Sequence, residues 1–209
     1  MPKPIDVKAA DLFATRIWTA RLDALSDSFP RWIELAKRLR EAHPQPAGGS
    51  NRRGWNGDKR LFARPELASL QDAARNVFAA AFAEMRCGFA SPGSFALEAW
   101  LNISDPGGYN TVHTHPGVLL SGVFYLATPP GSGSLVLRDP RPGVALGPFI
   151  GKGPNCRQVI KLRPVPGLLC VFPNWLEHDV EENEGAESRV SIAMNAMPAG
   201  AGAAGPGSG

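Results

Sequence analysis

The chain has 209 residues, 44% of them hydrophobic, and 22 basic against 19 acidic residues give a net charge of +3. That length supports one sizeable core, and the basic residues are scattered apart from Arg52, Arg53 and the run Lys37 to Arg40, which argues against a nucleic-acid footprint. No apolar stretch approaches the ~18 residues that span a bilayer and Met1 to Val7 leads into no signal-peptide core, so the expectation is a cytoplasmic protein without a membrane partner.

In chain order, the first periodic segment starts at Pro30, where Trp32, Leu35, Ala36 and Leu39 recur at helical spacing among charged residues. His43 and Pro44 end it. Gly48 to Asp58 is rich in Gly, Asn and Arg and reads as an exposed loop, with Trp55 either anchoring it to the body or shaping a lid over a site. A second helix is predicted from Pro65 to about Met85, with proline in the first turn and Leu67, Leu70, Ala74, Val77, Phe78 and Ala81 on one face.

After Ser91 the pattern changes to short alternating runs. Phe95 to Ile103 places Phe, Leu, Ala, Leu and Ile on one face and Ala, Glu, Trp and Asn on the other. Further strands are predicted at the His113 segment, Leu119 to Leu126, Ser134 to Leu137, Gln158 to Leu162, Leu168 to Phe172, Glu177 to Val180 and Arg189 to Asn195. Short strands punctuated by turns and preceded by helices point to a mainly β fold, a jelly-roll or double-stranded β-helix barrel with helices packed outside. Residues 1–90 are then a helical extension, 91–198 the barrel, and 199–209, with nothing to bury, a disordered tail. Cys87, Cys156 and Cys170 are odd in number and show no CxxC spacing, so they read as small buried hydrophobes rather than a disulfide framework or a zinc ribbon.

Three of the four histidines fall into a pattern. His113 and His115 sit at i and i+2, so on a strand both side chains reach one point while Thr114 faces away. A distant third, His178, can close a metal site, although imidazole alone suits zinc, copper, iron and nickel equally. On the last strand Arg189, Ser191, Ala193 and Asn195 share the polar face, opposite Val190, Ile192 and Met194. A buried arginine needs an anion. Either Glu177, Asp179 or Glu187 supplies it, or a carboxylate ligand does, gripped by the planar guanidinium with Ser191 donating beside it.

These residues resemble the Fe(II)- and 2-oxoglutarate-dependent oxygenases, in particular the prolyl-hydroxylase-like branch and its bacterial members. The family pattern is H-x-D/E, a distal H, then R-x-S, matched here by His113-Thr114-His115, His178 and Arg189-Val190-Ser191. SGVFYL (Ser121 to Leu126) is similar to the family strand whose tyrosine contacts the co-substrate, which falls on Tyr125. Pro166 to Val180 and SRVSIAMN are similar to the strands delivering the distal histidine and the arginine, and the likeness covers residues 95 to 197. It implies Fe(II) and 2-oxoglutarate as cofactors, O2 and a small molecule or protein side chain as substrates, and hydroxylation coupled to decarboxylation of 2-oxoglutarate to succinate.

His115 replaces the family's carboxylate ligand. Either three neutral imidazoles hold the metal, or the carboxylate comes from Asp139 in the RDPR segment or from Glu177 or Asp179. Asn102, on the strand face of Trp100, either lines the co-substrate pocket or hydrogen-bonds a turn. Trp100, Trp175 and Trp55 are candidates for the substrate side. Two other functions fit the histidines: a cupin-like three-histidine enzyme or zinc hydrolase with no need of Arg189-x-Ser191, and a non-catalytic metal-binding module. The oligomeric state is open, a homodimer included.

Overall fold

The strand predicted to begin at Phe95 runs without a break to His113, giving one strand of 19 residues, β3 (Phe95–His113), in the computed structural model, which describes residues 12–143 and 157–199 together with 6, 8 and 10. Its Asp-Pro-Gly-Gly stretch does not end it. The residues between Ser104 and Tyr109 bulge opposite Arg53 of β2 (Asn51–Asn56), with Gly107 at φ +80°, and pairing resumes beyond them. Such a bulge bends the strand, so β3 serves two parts of the sheet.

Its first half pairs with β9 (Arg189–Pro198) from Phe95↔Pro198 to Ser104↔Arg189, and its second half pairs with β8 (His178–Val180) through Asn110↔Val180 and His113↔His178. On the β9 side the sheet continues through β4 (Leu120–Ala127) and β7 (Leu168–Pro173) to β1 (Trp18–Arg21). On the β8 side it continues through β5 (Leu135–Arg138) to β6 (Val159–Leu162). Every pairing between these strands is antiparallel. The curled sheet with two helices is the jelly-roll type the strand pattern predicts.

Both predicted helices form, as α1 (Phe29–Ala42) and α2 (Ala68–Glu84), and Pro65 opens a separate 3-10 turn just ahead of α2. Their apolar stripes cover one face of the sheet. Trp32, Leu35, Leu70, Ala74, Phe78 and Phe82 join Ala99, Leu101 and Ile103 of β3, Phe124 of β4 and Ile192 and Met194 of β9 in one core. Burying each large side chain here contributes about 1.5–3 kcal/mol. Gly122 of β4 permits the close approach of α2, because a Cβ there would lie 3.0 Å from the Phe78 ring and 3.2 Å from the carbonyl oxygen of Cys170. The opposite face encloses a smaller cluster of Leu135, Leu137, Cys170, Phe172 and Leu176, and the polar residues described below.

Two strands were not legible. Gly48 to Asp58 is not a loop throughout: Asn51–Asn56 pairs with β3, and Trp55 is buried with its Nε1 donating to the His43 carbonyl at 2.7 Å. Its outer residues Arg52 and Arg53 are exposed and its backbone is satisfied by the edge of β3, so no apolar alternation betrayed it. Likewise Trp18–Arg21 pairs with β7, so residues 1–90 contribute two strands as well as helices. Cys170 is buried and Cys87 half-buried; Cys156 and residues 200–209 of the expected tail lie outside the described residues. No helix among the described residues is long and apolar enough to cross a membrane.

Candidate metal centre

Register delivers the first two histidines. His113, the last residue of β3, stands opposite His178, the first of β8. His115 follows in the turn after β3, held by its backbone N–H donating to the Asn174 carbonyl at 2.9 Å. One ring nitrogen from each histidine comes within 4.8 Å of the others.

The ring orientations are fixed by the backbone. His113 Nδ1 lies 2.8 Å from the Thr111 carbonyl and His178 Nδ1 lies 2.8 Å from the Leu176 carbonyl. A carbonyl oxygen only accepts, so each Nδ1 carries the proton and each Nε2 presents a lone pair. His178 Nε2 faces His115 Nε2 at 3.3 Å, an arrangement that a cation coordinated by both satisfies. A metal-ligating histidine characteristically donates its other ring N–H to a carbonyl or carboxylate. Two of these three do.

Burial keeps all three rings neutral. It lowers the pKa of His113, pushes His115 down to about 3 with help from the neighbouring His178, His113 and Lys59, and pushes His178 down to about 4 with help from His113. Neutral imidazoles are ready metal ligands because no proton must be displaced.

A second group lies on the same face of the sheet, in rows set by the register. Asn102 of β3 pairs with Ser191 of β9, which pairs with Tyr125 of β4. One row along, Ser104 stands opposite Arg189. Arg189 is 3% exposed; its Nη1 donates to the Ser132 carbonyl at 2.6 Å and its Nη2 to Ser104 Oγ at 2.8 Å. Neither partner is charged. No acidic side chain pairs with Arg189 among the described residues, and burial lowers its pKa, with only the Tyr125 hydroxyl acting in the other direction. Tyr125 is itself buried, and desolvation raises its pKa, so it is a neutral phenol. Behind this row Ser121 Oγ donates to Asn195, and Asn195 to Glu98, holding the sheet face polar and ordered.

His113, His115, His178, Arg189, Ser191, Tyr125, Asn102 and Trp100 all line one cavity of about 740 Å³. That volume suits a small organic molecule together with a side chain or second ligand. Three sequence candidates are elsewhere. Asp139 accepts from the backbone N–H and guanidinium of Arg141 and lines a separate cavity, because its Asp-Pro turn projects away from the histidines. Trp55 is the anchor of β2 and Trp175 is 50% exposed; neither lines the histidine cavity. Of the other carboxylates considered, Asp179 binds Arg138 and Glu177 is exposed.

Sequence reading missed Ser104 and Ser132, which carry the guanidinium, and Ser50, Lys59, Asn110 and Thr111, which line the cavity. Asn110 and Thr111 sit within three residues of His113 on β3, a proximity that could have marked them. Nothing local marks Ser50 or Ser132.

Residues 98–195 match the family model described as "Putative 2OG-Fe(II) oxygenase". The match spans the strands that carry the histidines and Arg189, in agreement with the resemblance read from the sequence. A search of curated proteins finds no match. Among solved structures, a prolyl-4-hydroxylase of Pseudomonas putida is 17% identical with a TM-score of 0.62, covering 89% of this chain and 94% of its own. HygX of Streptomyces hygroscopicus, crystallised with nickel and 2-oxoglutarate, is 13% identical with a TM-score of 0.58, covering 88% and 83%. A prolyl hydroxylase of Trichoplax adhaerens, in complex with a hypoxia inducible factor peptide, is 13% identical with a TM-score of 0.60, covering 87% and 83%. At these identities the likeness establishes the fold.

Proposed function

We propose that the chain is an Fe(II)- and 2-oxoglutarate-dependent dioxygenase that hydroxylates a small molecule or a protein side chain, with His113, His115 and His178 as metal ligands. The observation that carries this reading is Arg189. A guanidinium buried in the histidine cavity without an acidic partner among the described residues is costly unless a ligand brings the anion, and a dicarboxylate that also reaches the metal does so. A three-histidine hydrolase or a structural metal module gives that arginine no task.

Iron with 2-oxoglutarate supplies the oxidative chemistry: O2 activation coupled to decarboxylation to succinate, and insertion of one oxygen atom into a substrate C–H bond. The chain's residues do the rest. Arg189 grips the distal carboxylate of the co-substrate, and its Ser132 and Ser104 contacts hold the fork in place. Ser191 and Tyr125, adjacent across β9 and β4, donate hydroxyl hydrogen bonds beside it, and Asn102 completes the row. Phe172, 4.7 Å from the His178 ring, and Trp100, 6.2 Å from His115, wall the metal side and exclude water. Three neutral imidazoles leave the cation its full charge. The two negative charges of the co-substrate then do more to balance the site than they would beside a carboxylate ligand.

Anaerobic addition of Fe(II) and 2-oxoglutarate should produce the visible charge-transfer band of a metal-bound 2-oxo acid. If the wild-type protein binds Fe(II) and shows no band on titration with 2-oxoglutarate, the assignment is wrong.

A further inference from the structure

Ser50 lies outside every strand and matches no part of the family pattern, yet its hydroxyl sits at the metal-binding nitrogen of His113, with Oγ and Nε2 3.3 Å apart. The serine is held from both sides. Its carbonyl accepts from the Thr111 backbone N–H at 3.0 Å, and its Oγ accepts from Asn110 Nδ2 at 2.9 Å. The loop before it is tied down too, by Asn56 bonding both the N–H and the carbonyl of Gly48.

These partners fix the direction of the hydroxyl hydrogen. His113 Nδ1–H donates to the Thr111 carbonyl, so Nε2 has only a lone pair. Asn110 supplies a donor to Ser50 Oγ, so the serine's own O–H is free to donate, and Nε2 is the acceptor in reach. A cation bound by Nε2 takes that lone pair. The serine O–H then loses its acceptor while its backbone and Asn110 contacts keep it at the edge of the metal position, inside the cavity.

We propose that Ser50 is a positioning residue of the metal centre: once His113 Nε2 holds the metal, the Ser50 hydroxyl turns to donate a hydrogen bond to the exogenous ligand on the metal, with Asn110 holding the oxygen in place. This rests on the three-histidine reading of the site. Two effects of opposite sign follow. In the empty protein the serine competes with the metal for Nε2; in the loaded protein it holds the ligand.

The test is a cobalt(II) titration of the full chain followed by azide titration of the loaded protein, read by the visible ligand-field spectrum, for wild type, Ser50→Ala, Ser50→Thr and Asn110→Ala. Ser50→Ala keeps the backbone contact to Thr111, and its melting temperature without metal checks that the loop is intact. The expected result is cobalt binding unchanged or up to about fivefold tighter in Ser50→Ala, azide binding about fivefold weaker, and recovery in Ser50→Thr, the factor being that of one ordinary hydrogen bond. Asn110→Ala should weaken azide in the same direction. Equal azide affinity in wild type and Ser50→Ala, both cobalt-loaded, overturns the role of Ser50 and leaves the metal site standing. Failure of the wild type to bind cobalt overturns both.

Discussion

Replacing Arg189 by methionine tests the site at its most exacting point. The side chain is 3% exposed, and its two hydrogen bonds go to a carbonyl and a hydroxyl, so the change removes a buried charge that has no acidic partner among the described residues. For the metal-free fold two effects oppose each other. Relief of charge burial stabilises by several kcal/mol, while the Ser132 carbonyl and Ser104 Oγ lose their donor at about 1–3 kcal/mol each. Net stability should therefore move by no more than about 2 kcal/mol. Co-substrate binding has no such compensation. Losing one partner of a buried, hydrogen-bonded charge pair costs about 2–5 kcal/mol, which at 1.36 kcal/mol per tenfold weakens 2-oxoglutarate by about 30-fold to several thousand-fold. Anaerobic titration of the iron-loaded protein, followed by the visible chelate band or by calorimetry, measures it. Pyruvate, a 2-oxo acid with no distal carboxylate, provides the internal control, because wild type and Arg189→Met should bind it alike. The reasoning is refuted by an Arg189→Met variant that binds 2-oxoglutarate as tightly as wild type. A stability loss of about 3–5 kcal/mol with unchanged binding would instead identify a structural ion pair.

His115→Ala should lower cobalt or iron affinity by more than the about 10–100-fold that loss of an outer hydrogen-bond partner costs, whereas Asp139→Ala should leave it unchanged; the reverse order in a chelator competition would return the carboxylate to the site. Gly122→Val should destabilise by about 1–3 kcal/mol in urea titration, because the added carbons have the Phe78 ring and the Cys170 carbonyl in their way, and an unchanged midpoint would show that α2 gives readily. In the metal-free protein, burial and the neighbouring His113 hold His178 at about 4 against 6.5 when unfolded, so between those values the unfolded chain binds the extra proton and stability falls as pH falls. The loss across that window is on the order of 3 kcal/mol, absent above pH 6.5 and complete below the folded value. Urea midpoints at pH 7 and pH 5 should differ less in His178→Asn than in wild type, and parallel changes would refute the assignment.

The chain's periodicities and spacings determined much of this protein. Helical spacing of Trp32, Leu35 and Ala36, and of Leu70, Ala74 and Phe78, marked the faces that cover the sheet, because a stripe that must be buried repeats every three to four residues wherever it packs. Alternation likewise placed Trp100, Asn102, Arg189 and Ser191 on the face opposite the core, whereas His115 lies beyond the end of β3 and Thr114 lines the cavity with both histidines, so strand alternation does not account for the His-x-His pair. Local pattern failed where pairing partners set the structure. Strand β2 carries two exposed arginines and exists because the edge of β3 satisfies its backbone, and Phe95 to Ile103 and the His113 segment read as separate strands although β3 joins them through a bulge. Only the tertiary structure could bring Ser104 and Ser132 to the guanidinium, seat Ser50 beside His113, and send Asp139 to Arg141 instead of the histidines. The serine contacts join residues far apart in sequence through strand register and loop paths, whereas Asp139 is held by Arg141 two residues on. A residue type and its neighbours specify which way a side chain leaves its own strand, and the curl of the whole sheet decides what it meets.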